Sequence, residues 1–201
     1  MSESAAIRPV GDAAAAQLLE VADRSIGSGL DGYFAVGPDE SDLHPDLHQR
    51  LGAFVTLKVR DELNGCIGSI DGADPLGVAV ARHAWSAAFA DPRLPALRRS
   101  DYPQLEIEVS VLSPLAPLPA ESHTDLIATL RPGIDGLLIG AGTSRGVFLP
   151  SVWDQLPSPE RFVERLFLKA GLDPTTWPAD LRTHRFEAQR ITRTRPIAEA
   201  S

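Results

Sequence analysis

Residues Leu63 to Ile70, LNGCIGSI, set the only cysteine of a 201-residue chain between two glycines in an otherwise apolar, β-type run. The stretch before it, GAFVTLKV (52–59), reads as a strand, and the polar DELNG (61–65) reads as the turn between them. The pair is therefore a β-hairpin with Cys66 just past its turn. Glycine inside a strand marks a bulge or a place where backbone or ligand comes close. Gly65 and Gly68 are on that ground candidate binding positions, with Asn64 beside them, and Cys66 is a candidate nucleophile. The competing reading makes Cys66 a small buried hydrophobe in a tightly packed strand.

Downstream, Leu76 to Ala90 has the composition and periodicity of an amphipathic helix, with Asp74 placed as its N-cap and Pro75 at its first position. His83 interrupts the apolar stripe of that helix. It either hydrogen-bonds a backbone carbonyl or serves as a base toward a thiol. The helix exits into DPRLP (91–95), where Arg93 is expected to fork onto a carboxylate, Asp91 or Glu106. Leu105 to Leu112 alternates strictly: Leu105, Ile107, Val109 and Val111 share one face, and Glu106, Glu108 and Ser110 the other. If that second face lines a cleft, Glu106 and Glu108 become binding groups that look toward Cys66.

The rest of the chain frames these segments. Met1 to Val10 reads as frayed. Ala13 to Leu30 reads as a helix with Leu18, Leu19, Ala22 and Ile26 on one stripe. Tyr33 to Arg50 is a long irregular stretch of the kind that forms a lid. A Pro-rich connector, PLAPLPAESH (114–123), separates a main lobe, about 11–113 plus the C-terminal helix and strand, from a smaller one, about 120–155, within a single domain spanning 1–201. Short strands are expected at Gly136–Ala141 and Gly146–Leu149. A helix capped by Ser158 and Pro159 and stopped by Gly171 follows, then a final strand from His184 to Ile191 and a polar tail.

Composition excludes several classes. A formal charge of −8 and a pI near 5.1 argue against a nucleic-acid partner, the arginines of the last third (Arg182, Arg185, Arg190, Arg193, Arg195) reading as solvated charges. One cysteine rules out a disulfide framework and points to a reducing compartment. The absence of a leader-like start and of an apolar run near ~18 residues predicts a cytoplasmic protein away from membranes. GTSRG (142–146) matches the nucleophile-elbow string, but VFLP follows it rather than a helix, so a Gly-rich hairpin turn explains it better. His44 and His48 have a four-residue spacing, but the intervening proline undercuts a helical metal site. No phosphate-cradling or dinucleotide motif is present, and neither cofactor nor metal is expected.

The order of blocks GAFVTL, LNGCIG, DPRLPAL, LEIEVSVL, PGIDGLLI, RGVFLPSVW and KAGLDPTTW resembles the AMMECR-type domain family over nearly the whole chain. The resemblance implies an α+β fold of largely antiparallel sheets with flanking helices, in two subdomains with a cleft to which the cysteine hairpin contributes. It implies no settled reaction. It does imply a modification pathway shared with a Memo-like protein and a radical-SAM protein, and a small-molecule or protein substrate. Two positions depart from the family pattern: Asn64 stands where the family has arginine, and Leu94 where it has phenylalanine. The first removes a fixed positive charge beside Cys66.

Overall fold

Strand β1 (Ala53–Val59) buries Ala53, Val55 and Leu57 on one face and turns Phe54, Thr56 and Lys58 to the other. That alternation organises the first half of the molecule. The computed structural model describes residues 10–35 and 37–194. The expected frayed start, apart from Val10, and the tail from Arg195 lie outside the described residues. Strand β1 pairs antiparallel with β2 (Glu62–Ser69) on one side and with β3 (Leu105–Leu112) on the other. A fourth strand, β8 (Ala188–Thr194), completes the order β2-β1-β3-β8. Two helices, α1 (Asp12–Leu30) and α2 (Leu76–Phe89), cover the Val55 face, and Leu18, Ala22, Ile26, Val80, Ala84 and Ala87 meet the inward residues of β1 and β3 in one apolar core.

A second unit, within residues 113–188, has its own sheet and core. Its sheet order is β4-β7-β5-β6, with β4 at Ala116–Pro117, β5 at Gly136–Ala141, β6 at Ser144–Phe148 and β7 at Arg182–Phe186. Helix α4 (Pro159–Ala170) lays Phe162, Val163, Leu166 and Phe167 into that core beside Leu137 and Ile139, with the short α3 (His123–Thr129) supplying Leu126. Trp153 stacks on Phe162 at 3.8 Å and donates its indole N–H to the Asp135 carbonyl at 2.7 Å. The fold is α+β with two antiparallel four-stranded sheets. Among the described residues no helix is long and apolar enough to cross a membrane.

Several local expectations need correction. The hairpin turn is Arg60–Asp61, both with positive φ (54° and 66°), as a two-residue primed turn requires. Glu62 to Asn64 therefore belong to the strand, with a register shift after Leu57, and Cys66 sits mid-strand. Asp74 does not cap α2; it pairs with Arg82 at 2.6 Å, and the helix begins with no side-chain cap. The segment 33–50 contains two 3-10 turns, and Leu43 after the first and Leu47 within the second are buried in the first core, so its second half is anchored rather than poised as a lid. Within it, His44 accepts the Asp46 N–H through Nδ1 and so caps the turn that ends at His48. Helix α4 packs in the second core, whereas the sequence reading joins it to the main lobe. The single final strand is two, β7 and β8, in different sheets. Ser158 and Gly171 do cap α4: the serine hydroxyl accepts the Arg161 N–H at 3.3 Å, and Gly171 takes φ 74°.

Candidate functional site

The register of the first sheet decides what surrounds Cys66. Strand β2 is an edge strand, and Cys66 lies opposite Thr56, which in turn lies opposite Glu108. Directly opposed residues share a face, so the three side chains form a row on the side away from α2. The sulfur lies 3.4 Å from Thr56 Oγ1. Glu108 is 6% exposed and accepts from Arg190 Nη2 at 2.7 Å, and Ser110, also buried, donates to Glu108 at 3.5 Å. Lys58 and Glu106 pair at 3.4 Å further along that face. Glu108 and Ser110 are thus not open to bulk water.

Because β2 is an edge and Thr56–Cys66 is the pair whose peptide groups point outward, Cys66 would present a bare N–H and a bare C=O. Both are satisfied by the helix exit. Asp91 Oδ2 accepts the Cys66 N–H at 3.0 Å, and Arg93 Nη2 donates to the Cys66 carbonyl at 2.8 Å. The two side chains are locked to each other by the expected fork, Nε to Oδ1 at 2.9 Å and Nη2 to Oδ2 at 2.7 Å, and the Arg93 N–H adds a bond to Oδ1 at 3.1 Å. Each Asp91 oxygen therefore accepts two hydrogen bonds, which uses the capacity of a carboxylate. The partner of Arg93 is Asp91 and not Glu106.

The charges follow from this geometry. The Arg93 guanidinium, opposed by burial and helped by the two backbone N–H groups, holds the Asp91 carboxyl well below the usual carboxylate range. Asp91 raises Arg93 in return. The fixed cation at Cys66, missing at Asn64, is thus supplied by Arg93.

Other members of the expected set are placed differently. Gly65 faces α2: a Cβ there would sit 1.9 Å from the Ala87 carbonyl oxygen. Cys66, the next residue, must point the opposite way. His83 lies on α2, is 6% exposed, and makes its hydrogen bond, 3.4 Å long, with Ser69, which opposes inward-facing Ala53. His83 and the thiol are on opposite faces of the sheet, so the pairing of His83 as a base for Cys66 is corrected. Burial, aided by the charge of Arg82 and opposed by Asp74, pushes the His83 pKa down and leaves the ring neutral at pH 7. The space over Gly68 is likewise taken by protein, its Cβ position lying 2.4 Å from both Phe54 Cγ and the Ala53 carbonyl oxygen. Both glycines answer to packing. Asn64 sits at the register shift, and its side-chain oxygen is buried with no hydrogen-bond partner.

The profile of the AMMECR1 family matches residues 19–191. The chain belongs to the AMMECR1 family. A protein of Methanothermobacter thermautotrophicus is 40% identical over 154 residues, covering 74% of this chain and 78% of its own length. One from Thermofilum pendens is 34% identical over 197 residues, covering 90% of each. The crystal structure of an uncharacterized protein from Pyrococcus horikoshii superposes with a TM-score of 0.84 at 30% identity, covering 93% of this chain and 95% of that one.

Within this AMMECR1 domain, sequence reading missed Thr56 as a member of the row and Arg190 as the partner of Glu108. The period-two pattern of GAFVTLKV places Thr56 on the outward face, but the register that sets it against Cys66 is not in the pattern. A second fork, Arg131 on the fully buried Asp135 with Nη2 at 2.5 Å from Oδ1, was also missed. It holds a loop and no nucleophile, so a fork alone is a structural device. What distinguishes Asp91–Arg93 is the residue it grips. Among the described residues no group of three or more His, Cys, Asp or Glu side chains is arranged to hold a metal ion.

Proposed function

We propose that this AMMECR1 domain engages a small anionic substrate or a protein-borne group at Cys66, with the thiol as nucleophile, in a modification pathway shared with a Memo-like and a radical-SAM protein. The observation that carries the reading is the clamp: Asp91 and Arg93 fix both peptide groups of Cys66, and the guanidinium is held 2.8 Å from its carbonyl oxygen. A cysteine beside a fixed cation is the environment in which thiolates form and react, and a backbone held on both sides is preorganised. In this mechanism the thiol proton passes to solvent, the sulfur bonds an electrophilic carbon of the substrate, and the leaving group departs with the electron pair. Arg93, with 60% of its side chain exposed, is the group available to an incoming anion.

A second reading rests on the two glycines: since protein fills the space over both, the hairpin serves packing and the chain is a non-catalytic adaptor. Alkylation of native protein by iodoacetamide between pH 6 and 9 separates the two. Fast, pH-dependent labelling that Arg93→Gln slows supports the nucleophile. An unreactive thiol, or a Cys66→Ser chain that complements a host deletion fully, refutes it.

A further inference from the structure

Four glycines lie in or between β5 and β6, and the fold explains three of them. A Cβ at Gly136 would strike the Phe186 ring at 2.4 Å, and one at Gly146 would crowd Ala170 of α4 at 2.9 Å. Gly142 has φ +55° as the first residue of a two-residue hairpin turn. Gly140 has no such reason. Its φ is ordinary, and a Cβ there would meet nothing nearer than the Ser144 carbonyl oxygen at 3.5 Å. Glycine is unfavourable inside a strand unless something must come close.

The register shows what stands around it. Gly140 lies opposite Arg145 on β6 and opposite Arg182 on β7, so two arginines flank it on the same face. Leu138, two residues earlier on that face, lies opposite His184. Since Gly146 and Ile139 point into the α4 core, this is the face turned away from α4. A cavity of about 470 Å³ opens there over Leu138 and Gly140, walled by Arg145, Asp180, Arg182 and His184 and bordered by Thr143 of the turn and Ser144 at the start of β6. Asp180 is tied down by the Gly142 N–H at 2.8 Å and so holds the turn that borders the cavity. Arg182 makes no ion pair among the described residues, in a chain whose formal charge is −8.

We propose that this cavity binds the phosphate group of a small phosphorylated molecule, seated over Gly140 between Arg145 and Arg182. Guanidinium groups match phosphate oxygens in geometry as well as charge, His184 and the Thr143 and Ser144 hydroxyls can donate to the remaining oxygens, and the Leu138 floor accommodates a short apolar body. The site is distinct from Cys66 and stands or falls without it.

The test is titration of the full chain with inorganic phosphate and with phenyl phosphate, read by calorimetry and by the NMR shifts of the His184 ring. Phenyl phosphate is expected to bind at least 5-fold tighter than inorganic phosphate. Arg182→Gln should weaken both at least 10-fold, whereas Arg161→Gln, an exposed arginine on α4, should weaken neither. Gly140→Ala, which the backbone accommodates, should also weaken both at least 10-fold by filling the seat, with an unchanged circular dichroism spectrum. No binding of either probe at 10 mM, an Arg182→Gln effect no larger than that of Arg161→Gln, or a folded Gly140→Ala chain that binds as wild type would overturn the proposal.

Discussion

Replacing Asp91 by Asn tests the clamp on the cysteine strand most directly. The amide keeps the shape, and its oxygen can still accept the Cys66 N–H and Arg93 Nη2, which share Oδ2, but its NH2 group then faces the Arg93 Nε–H and backbone N–H that now bond to Oδ1 at 2.9 and 3.1 Å. Charge-assisted bonds contribute about 1.5–3 kcal/mol each, and breaking a fully buried ion pair costs about 3–5 kcal/mol. Only Asp91 is buried here, at 2% side-chain exposure against 60% for Arg93, so water relieves the stranded guanidinium. The expected loss is therefore about 2–3 kcal/mol, which at a urea slope near 2–3 kcal/mol/M lowers the unfolding midpoint by about 1 M. The pH dependence fixes the cause. A carboxyl whose folded pKa is depressed stabilises fully above its unfolded value, near 3.9, and loses that contribution as pH falls toward the folded value. The gap between wild type and Asp91→Asn should thus be constant from pH 7 to 5 and narrow by about 1 kcal/mol at pH 3. A gap below about 0.5 kcal/mol at pH 7, or one unchanged at pH 3, would refute the argument that a charged fork holds the strand.

Arg93→Lys keeps the charge but cannot bond Asp91 and the Cys66 carbonyl with a planar fork. It should cost about 1–2 kcal/mol in urea denaturation and slow thiol alkylation; parity with wild type in both would make Arg93 an ordinary surface residue. Gly65→Ala drives a methyl to 1.9 Å from the Ala87 carbonyl, a backbone atom that no rotamer change can move. A loss of about 3 kcal/mol is expected, and a variant within about 0.5 kcal/mol of wild type would mean that α2 and β2 do not pack as described.

Strand β3 and helix α4 were legible because their signals are local. Alternation over Leu105–Leu112 and a serine, proline and glycine around 158–171 need no knowledge of the rest of the chain. The fork at Arg93 was legible for the same reason, its two members being two residues apart. Contacts set by register were not. Whether Cys66 and His83 share a face depends on the turn being Arg60–Asp61 and on the slip after Leu57, neither of which periodicity reveals. The break between β7 and β8 was hidden because both halves have strand composition; only the pairing partners differ. The two-residue β4 carries too little sequence to announce itself.

Strand β8 has a consequence for how the chain is made. The unit that carries Cys66 is discontinuous: residues 10–112 form three of its strands, and the fourth arrives only after the intervening unit has been synthesised. On the ribosome the later segment, 113–188, can fold first as a contiguous whole. Meanwhile β3 waits as an open edge, and Glu108 lacks the arginine at 190 that will neutralise it. Completion of the cysteine-bearing sheet is thereby deferred until residues 189–194 emerge, so a nascent chain stopped short of them displays the thiol on an unfinished, edge-exposed sheet.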